Sequence, residues 1–151
     1  MEYTMLDKQY YKHFFYKTIT PKIFEKMKNH GPYDRALFIE CDNGFLIEFI
    51  EANEIHGIDD PTIKSAPIVK RLDVPDRVYD LVVLYEKDYA TYSDEQIYNW
   101  IIRCSARIIA VVGTREYMKN FKFGKNLDIY SISNDIELRV YEFDERLRIY
   151  E

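Results

Sequence analysis

The chain predicts an α/β protein: a three-layer, doubly wound, mostly parallel sheet closed by a C-terminal antiparallel hairpin. Three observations carry that expectation. RALFIEC, YDLVVLY and RIIAVVG are short apolar runs rich in β-branched residues, as strands buried on both faces should be. Between them stand segments whose apolar residues recur at helical spacing. Near the end, LDIYSIS and IELRVYEF alternate apolar and polar around Asn134-Asp135, the mark of a hairpin with a two-residue turn.

In chain order, residues 1–31 predict a helical segment and residues 35–143 the α/β core of one domain spanning 1–151. Tyr10, Tyr11, Phe14 and Phe15 sit at helical spacing in a first helix. Thr20 followed by Pro21 reads as an N-cap with proline at the first helical position, and Asn29-His30-Gly31-Pro32 stops that second helix. Strands then follow at RALFIEC (35–41), EIHGID (54–59), IVKRLDV (68–74) and YDLVVLY (79–85), with a helix over FLIEFIEAN (45–53). Ser93 and Gln96 form a capping box ahead of Ile97, Trp100, Ile101 and Cys104, which lie on one helical face. RIIAVVG (107–113) is a further buried strand, and a short helix falls within 114–120.

Composition narrows the function classes. With 47% apolar and 31% charged residues, the chain is globular and not disordered. No apolar stretch approaches the roughly 20 residues of a membrane span, and the N-terminus lacks the apolar core of a secretion signal. Cys41 and Cys104 form no CxxC and no Cys/His ligand spacing, so neither a disulfide framework nor structural zinc is expected. The expectation is a reduced, cytoplasmic protein with no metal. A net charge of −5 disfavours a general duplex nucleic-acid binder. Lysines interleave with Tyr and Phe in the first 30 residues, and the reading is an amphipathic helix covering the sheet with its lysines solvated. The same aromatic helix is a candidate homo-oligomer contact. His13, His30 and His56 show no triad or metal spacing and are read as structural.

The most informative segment is the turn after the first strand, RALFIECDNG, an acidic turn with a single glycine. Strand, tight turn and helix N-terminus is where doubly wound sheets place their ligand. The order of elements and this turn resemble the class I S-adenosylmethionine-dependent methyltransferases over about Pro21 to Phe143. In that family the first strand runs into an acidic, glycine-rich turn, x-D/E-x-G-x-G-x-G. An ungapped match sets Phe38 at the acidic position, Glu40 and Asp42 at the first two glycines and Gly44 at the third. The resemblance implies S-adenosylmethionine as cofactor, with Asp59 in GIDD, and Asp60 beside it, at the ribose hydroxyls. It also implies Asp73 near the adenine, and Tyr85 and Glu86 facing the substrate.

Two departures bear on function. Glu40 and Asp42 add bulk and negative charge where glycines would let the backbone approach a ligand. A pyrophosphate would be repelled there, which ranks dinucleotides below a sulfonium-bearing cofactor. One reading of the two acids is recognition of that cation; the other is a decayed pocket with solvated acids and Asp42-Asn43-Gly44 as a plain turn. The second departure is a span of about eight residues between Asp60 and Val69, too few for a full helical crossover. Two functions stay open: a compact methyltransferase binding its cofactor at the carboxyl edge of the sheet, or a catalytically inactive relative serving as a binding or scaffold subunit. Methyl acceptor and partner, small molecule or protein, are not named by the sequence.

Overall fold

The computed structural model describes residues 20–39, 51–58, 70–71, 78–85, 93–104, 106–119 and 124–143. They build one mixed sheet of seven strands: β1 (Tyr33–Ile39), β2 (Ala52–Ile58), β3 (Lys70–Arg71), β4 (Leu81–Tyr85), β5 (Ile108–Gly113), β6 (Gly124–Ser131) and β7 (Glu137–Phe143). Their order across the sheet is β3-β2-β1-β4-β5-β7-β6. The first five strands are parallel, and β7 runs antiparallel between β5 and β6. Helices α1 (Thr20–Met27), α2 (Asp94–Cys104) and α3 (Arg115–Met118) accompany them.

Burial explains why the central strands lack polar alternation. Ala36, Leu37, Phe38 and Ile39 of β1 are each at most 1% exposed. Ala36 and Phe38, with Leu81, Val83, Ala110 and Val112, join a core closed by Ile23 and Met27 of α1. Leu37 and Ile39, with Val82, Leu84, Ile109 and Val111, join a second core closed by Ile97, Trp100 and Ile101 of α2. Every residue of these strands therefore faces one apolar layer or the other, so the run must be apolar throughout. Truncating one such side chain to alanine costs about 2–5 kcal/mol, through lost burial and the cavity left behind.

Helix α2 starts as its capping box specifies, for the Gln96 N–H donates to Ser93 Oγ at 3.2 Å. Its buried residues, Ile97, Trp100, Ile101 and Cys104, follow the i, i+3, i+4, i+7 rule. Helix α1 is held at both ends. The Tyr33 hydroxyl donates to the Met27 carbonyl at 2.8 Å, and the Lys22 ammonium donates to the Ile132 carbonyl at 3.3 Å. His30 Nε2 lies 3.1 Å from the Tyr130 hydroxyl and 3.0 Å from Asp128 Oδ2, on the edge strand β6. Among the described lysines of this segment, Lys22 also meets the hairpin and Lys26 lies 5.5 Å from the Tyr130 ring centroid.

At the amino edge of the sheet, Asp80 clamps β1 to β4. Its two carboxylate oxygens accept the backbone N–H groups of Asp34 and Arg35, both at 2.7 Å. Its own carbonyl accepts from Ile108 N–H, tying in β5. His56 is buried on the α2 side, with Nδ1 2.7 Å from the Tyr79 hydroxyl and Nε2 3.3 Å from Glu54 Oε2. A histidine bonded at both ring nitrogens holds β2 against the segment entering β4, which agrees with the structural role read from its sequence context.

Several elements differ in extent from their sequence expectation. Ala52 and Asn53 belong to β2 and not to the preceding helix, because β2 pairs with β1 from Tyr33↔Ala52 onward. The hairpin turn is wider than two residues: Ser131 pairs with Glu137, and residues 132–136 loop out, with Ile132 and Ser133 N–H both donating to the Ile136 carbonyl. The side chain of Ile132 is buried in the α1 core, and that anchor outweighs the tighter turn. Of the expected strand 68–74, Lys70–Arg71 form β3 and the other residues lie outside those described. The first helix, most of the 45–53 helix and the crossover at 59–69 lie outside the described residues. No helix among those described is long and apolar enough to cross a membrane.

Two expected outcomes follow from this architecture. Replacing Asp80 with alanine removes two charge-assisted hydrogen bonds at once and should lower unfolding stability by about 2–3 kcal/mol in urea titration; a loss under about 0.5 kcal/mol would refute the clamp. Burial pushes the Cys104 thiol from its ordinary 9.0 up to about 12. A raised folded-state value for a group charged on deprotonation means its contribution to stability is full below pH 9.0 and is lost as pH rises toward 12. In a Cys41→Ser background, Ellman's reagent at mildly alkaline pH should modify Cys104 only as fast as the chain unfolds.

Candidate functional site

The carboxyl ends of the parallel strands finish abreast. Ile39 of β1 pairs with Ile58 of β2 on one side and Leu84 of β4 on the other, and Tyr85 pairs with Val112 of β5. From β1 the chain moves outward to β2 and β3, then returns to the opposite side of β1 as β4. The topological switch point therefore lies between β1 and β4, where an open α/β sheet has its crevice. The local cause is visible in the residues: the apolar runs that fill both cores end together, and polar residues follow at once in the sequence.

Tyr85 closes β4, its backbone paired to Val112. Glu40 follows Ile39 directly in the chain, Asp59 follows Ile58, and Glu86 follows Tyr85. These three, together with Asp42, Gly44, Asp60 and Asp73, lie outside the described residues. The strands that precede them share one edge, and β3, two residues before Asp73, pairs in parallel with Gly57 of β2 through Arg71.

On the same edge the structure holds a charged cluster that the sequence pattern did not single out. Gly113 ends β5 opposite Glu137, the first residue of the antiparallel β7. Glu137 is buried, 8% exposed. Its Oε1 accepts from Arg115 Nε at 2.8 Å, and its Oε2 accepts from Arg139 Nε and Nη2, each at 3.3 Å. Two guanidiniums thus share one carboxylate, and the excess positive charge stands at the rim, where the Arg115 side chain is 79% exposed. A faint signal was present: the alternation in IELRVYEF puts Glu137 and Arg139 on one face. Arg115, 22 residues earlier, could not be joined to them without the fold.

A groove of about 600 Å³ opens at the opposite, amino edge, lined by Phe24, Met27, Lys28, Tyr33 and Ala52 among others. It lies where β1 and β2 begin, so it is distinct from the switch point. Among the described residues, no group of three or more His, Cys, Asp or Glu side chains is arranged to hold a metal ion.

No family model matches the chain, and no curated protein matches it in sequence. Solved structures do match in fold. The N-methyltransferase NodS from Bradyrhizobium japonicum WM9, in complex with S-adenosyl-L-homocysteine, superposes with a TM-score of 0.63 at 12% identity, covering 85% of this chain and 87% of that one. The PH0226 protein from Pyrococcus horikoshii OT3 gives 0.61 at 14% identity, over 94% of this chain and 95% of that one. The 16S rRNA methylase ArmA gives 0.59 at 13% identity, over 86% and 84%. A likeness at such identities is one of architecture alone: the chain has a methyltransferase-like fold.

Proposed function

We propose that this chain binds S-adenosylmethionine at the carboxyl edge of its sheet and transfers the methyl group to an acceptor. The observation that carries the reading is the strand order β3-β2-β1-β4-β5-β7-β6 with β7 reversed, in a chain whose fold superposes on solved structures that include a methyltransferase in complex with S-adenosyl-L-homocysteine. In this reading the sheet is the middle of three layers in a single doubly wound domain, with crossovers completing both helical faces.

The residues then divide the work. Asp59, seconded by Asp60, accepts hydrogen bonds from the ribose hydroxyls, and Asp73 meets the adenine edge. Gly44 allows the backbone close to the ligand. Glu40 and Asp42 face the cationic sulfonium and ammonium, which they favour, while a pyrophosphate would be repelled. Tyr85 and Glu86 stand at the end of β4 toward the acceptor. The bound cofactor supplies an activated methyl group, and the protein's share is to align the acceptor nucleophile with it.

A second reading, an inactive relative serving as a binding or scaffold subunit, is favoured by one feature: the turn after β1 carries Glu40 and Asp42 where the family has glycines. Self-association through the aromatic helix of Tyr10, Tyr11, Phe14 and Phe15 belongs with that reading. A chain that sediments as a monomer across the micromolar range would overturn such self-association.

Isothermal titration with S-adenosylmethionine and S-adenosylhomocysteine tests the leading reading. Saturable binding is expected, weakened roughly tenfold or more in Asp59→Ala through loss of a charged hydrogen-bond partner. No heat at millimolar ligand would end it. Saturable binding with unchanged affinity in Asp59→Ala would remove that aspartate from the site.

A further inference from the structure

We propose that Arg115, Glu137 and Arg139 form a subsite for one oxyanion, a phosphate or a carboxylate, on a small acceptor molecule. The cluster stands on its own geometry, and only its assignment to the methyl acceptor rests on the cofactor reading above. Glu137 is buried and both its oxygens are engaged, Oε1 by Arg115 and Oε2 by Arg139. A buried carboxylate gripped from two sides cannot swing to meet a ligand. It acts as a post that fixes two guanidiniums and neutralises only one of them.

The donors left over point to the ligand class. Arg115 commits Nε to Glu137, and its two terminal nitrogens have no hydrogen-bond partner among the described residues. Arg139 commits Nε and Nη2 and keeps Nη1. Planar guanidinium donors held in place, with one unit of positive charge in excess, suit an oxyanion through charge-assisted, fork-like bonds. A single excess charge on a chain of net charge −5 fits a small anion and argues against a long polyanion.

Position supplies the functional link. Gly113↔Glu137 sets the cluster at the carboxyl edge, and Tyr85↔Val112 sets the end of β4 on that same edge. Two strand spacings separate β4 from β7, about 10 Å. An acceptor of metabolite size seated by its anionic group at Arg115 therefore reaches toward the switch point between β1 and β4. The sequence hid the site because its parts come from the start of α3, just after β5, and from β7, which meet only when the last strand reverses beside β5.

Titrating the full chain with inorganic phosphate and, in parallel, acetate while observing arginine Nε–Hε resonances tests the subsite. The expected result is saturable movement of Arg115 and Arg139 with the exposed Arg103 unmoved; the tighter of the two anions identifies the group recognised. Arg115→Gln, at an exposed position that should leave folding intact, should weaken the anion roughly tenfold or more while leaving S-adenosylmethionine affinity within about twofold. Parallel, non-saturating drift of all arginine signals would mean an adventitious ion only and would overturn the proposal. Tight binding of a single-stranded oligonucleotide through these arginines, far beyond that of phosphate, would overturn its assignment to a small molecule. Saturation by phosphate in a chain that takes up no S-adenosylmethionine would overturn the cofactor reading alone.

Discussion

Successive side chains of β1, β4 and β5 must leave water on opposite faces of one sheet, and most of the molecule is organised around that requirement. Ala36 and Phe38 go one way and Leu37 and Ile39 the other, each nearly or fully inaccessible. A strand of this kind is stable only when both faces are covered. Helix α1 covers one and α2 the other. Parallel neighbours in turn require the chain to cross over between strands, and the change of winding direction from β3 back to β4 sets the topological switch point at the carboxyl ends of β1 and β4.

The two edges of the sheet carry different chemistry for the same reason. At the amino edge and in the middle of the sheet, polar groups are spent on one another: Asp80 accepts from two backbone N–H groups of β1, and His56, within β2, is bonded to Tyr79 and near Glu54. Such satisfied groups stiffen the sheet and offer little to a ligand. At the carboxyl edge the balance is different. Arg115 is mostly exposed and keeps donors in reserve above a buried carboxylate. The reversed β7 matters here, since antiparallel pairing with β5 is what brings the start of β7 to the end of β5.

Charge then separates the two ends of the proposed crevice. The turn after β1 is acidic in sequence, with Glu40 and Asp42, whereas the rim between β5 and β7 has positive charge in excess. A cationic cofactor group and an anionic acceptor group would be drawn to opposite ends, which favours an oriented pair over a single bulky anion.

The residues by themselves determined the α/β plan, the buried strands within RALFIEC, YDLVVLY and RIIAVVG, the Ser93 cap with its helical face and the closing strand pair. These are decided by local burial patterns, by one capping hydroxyl and by the period-two alternation of the tail, all of which act between near neighbours. Tertiary structure alone decided where β2 begins, because pairing with Tyr33 draws Ala52 and Asn53 into the sheet. It decided the width of the hairpin loop, since Ile132 is pulled into the core beneath α1. It also decided the meeting of Arg115 with Glu137 and Arg139, a contact that needs β7 paired in reverse beside β5 before the side chains can touch. Local propensity cannot encode such a contact, because its energy exists only after chain segments distant in sequence have been brought together.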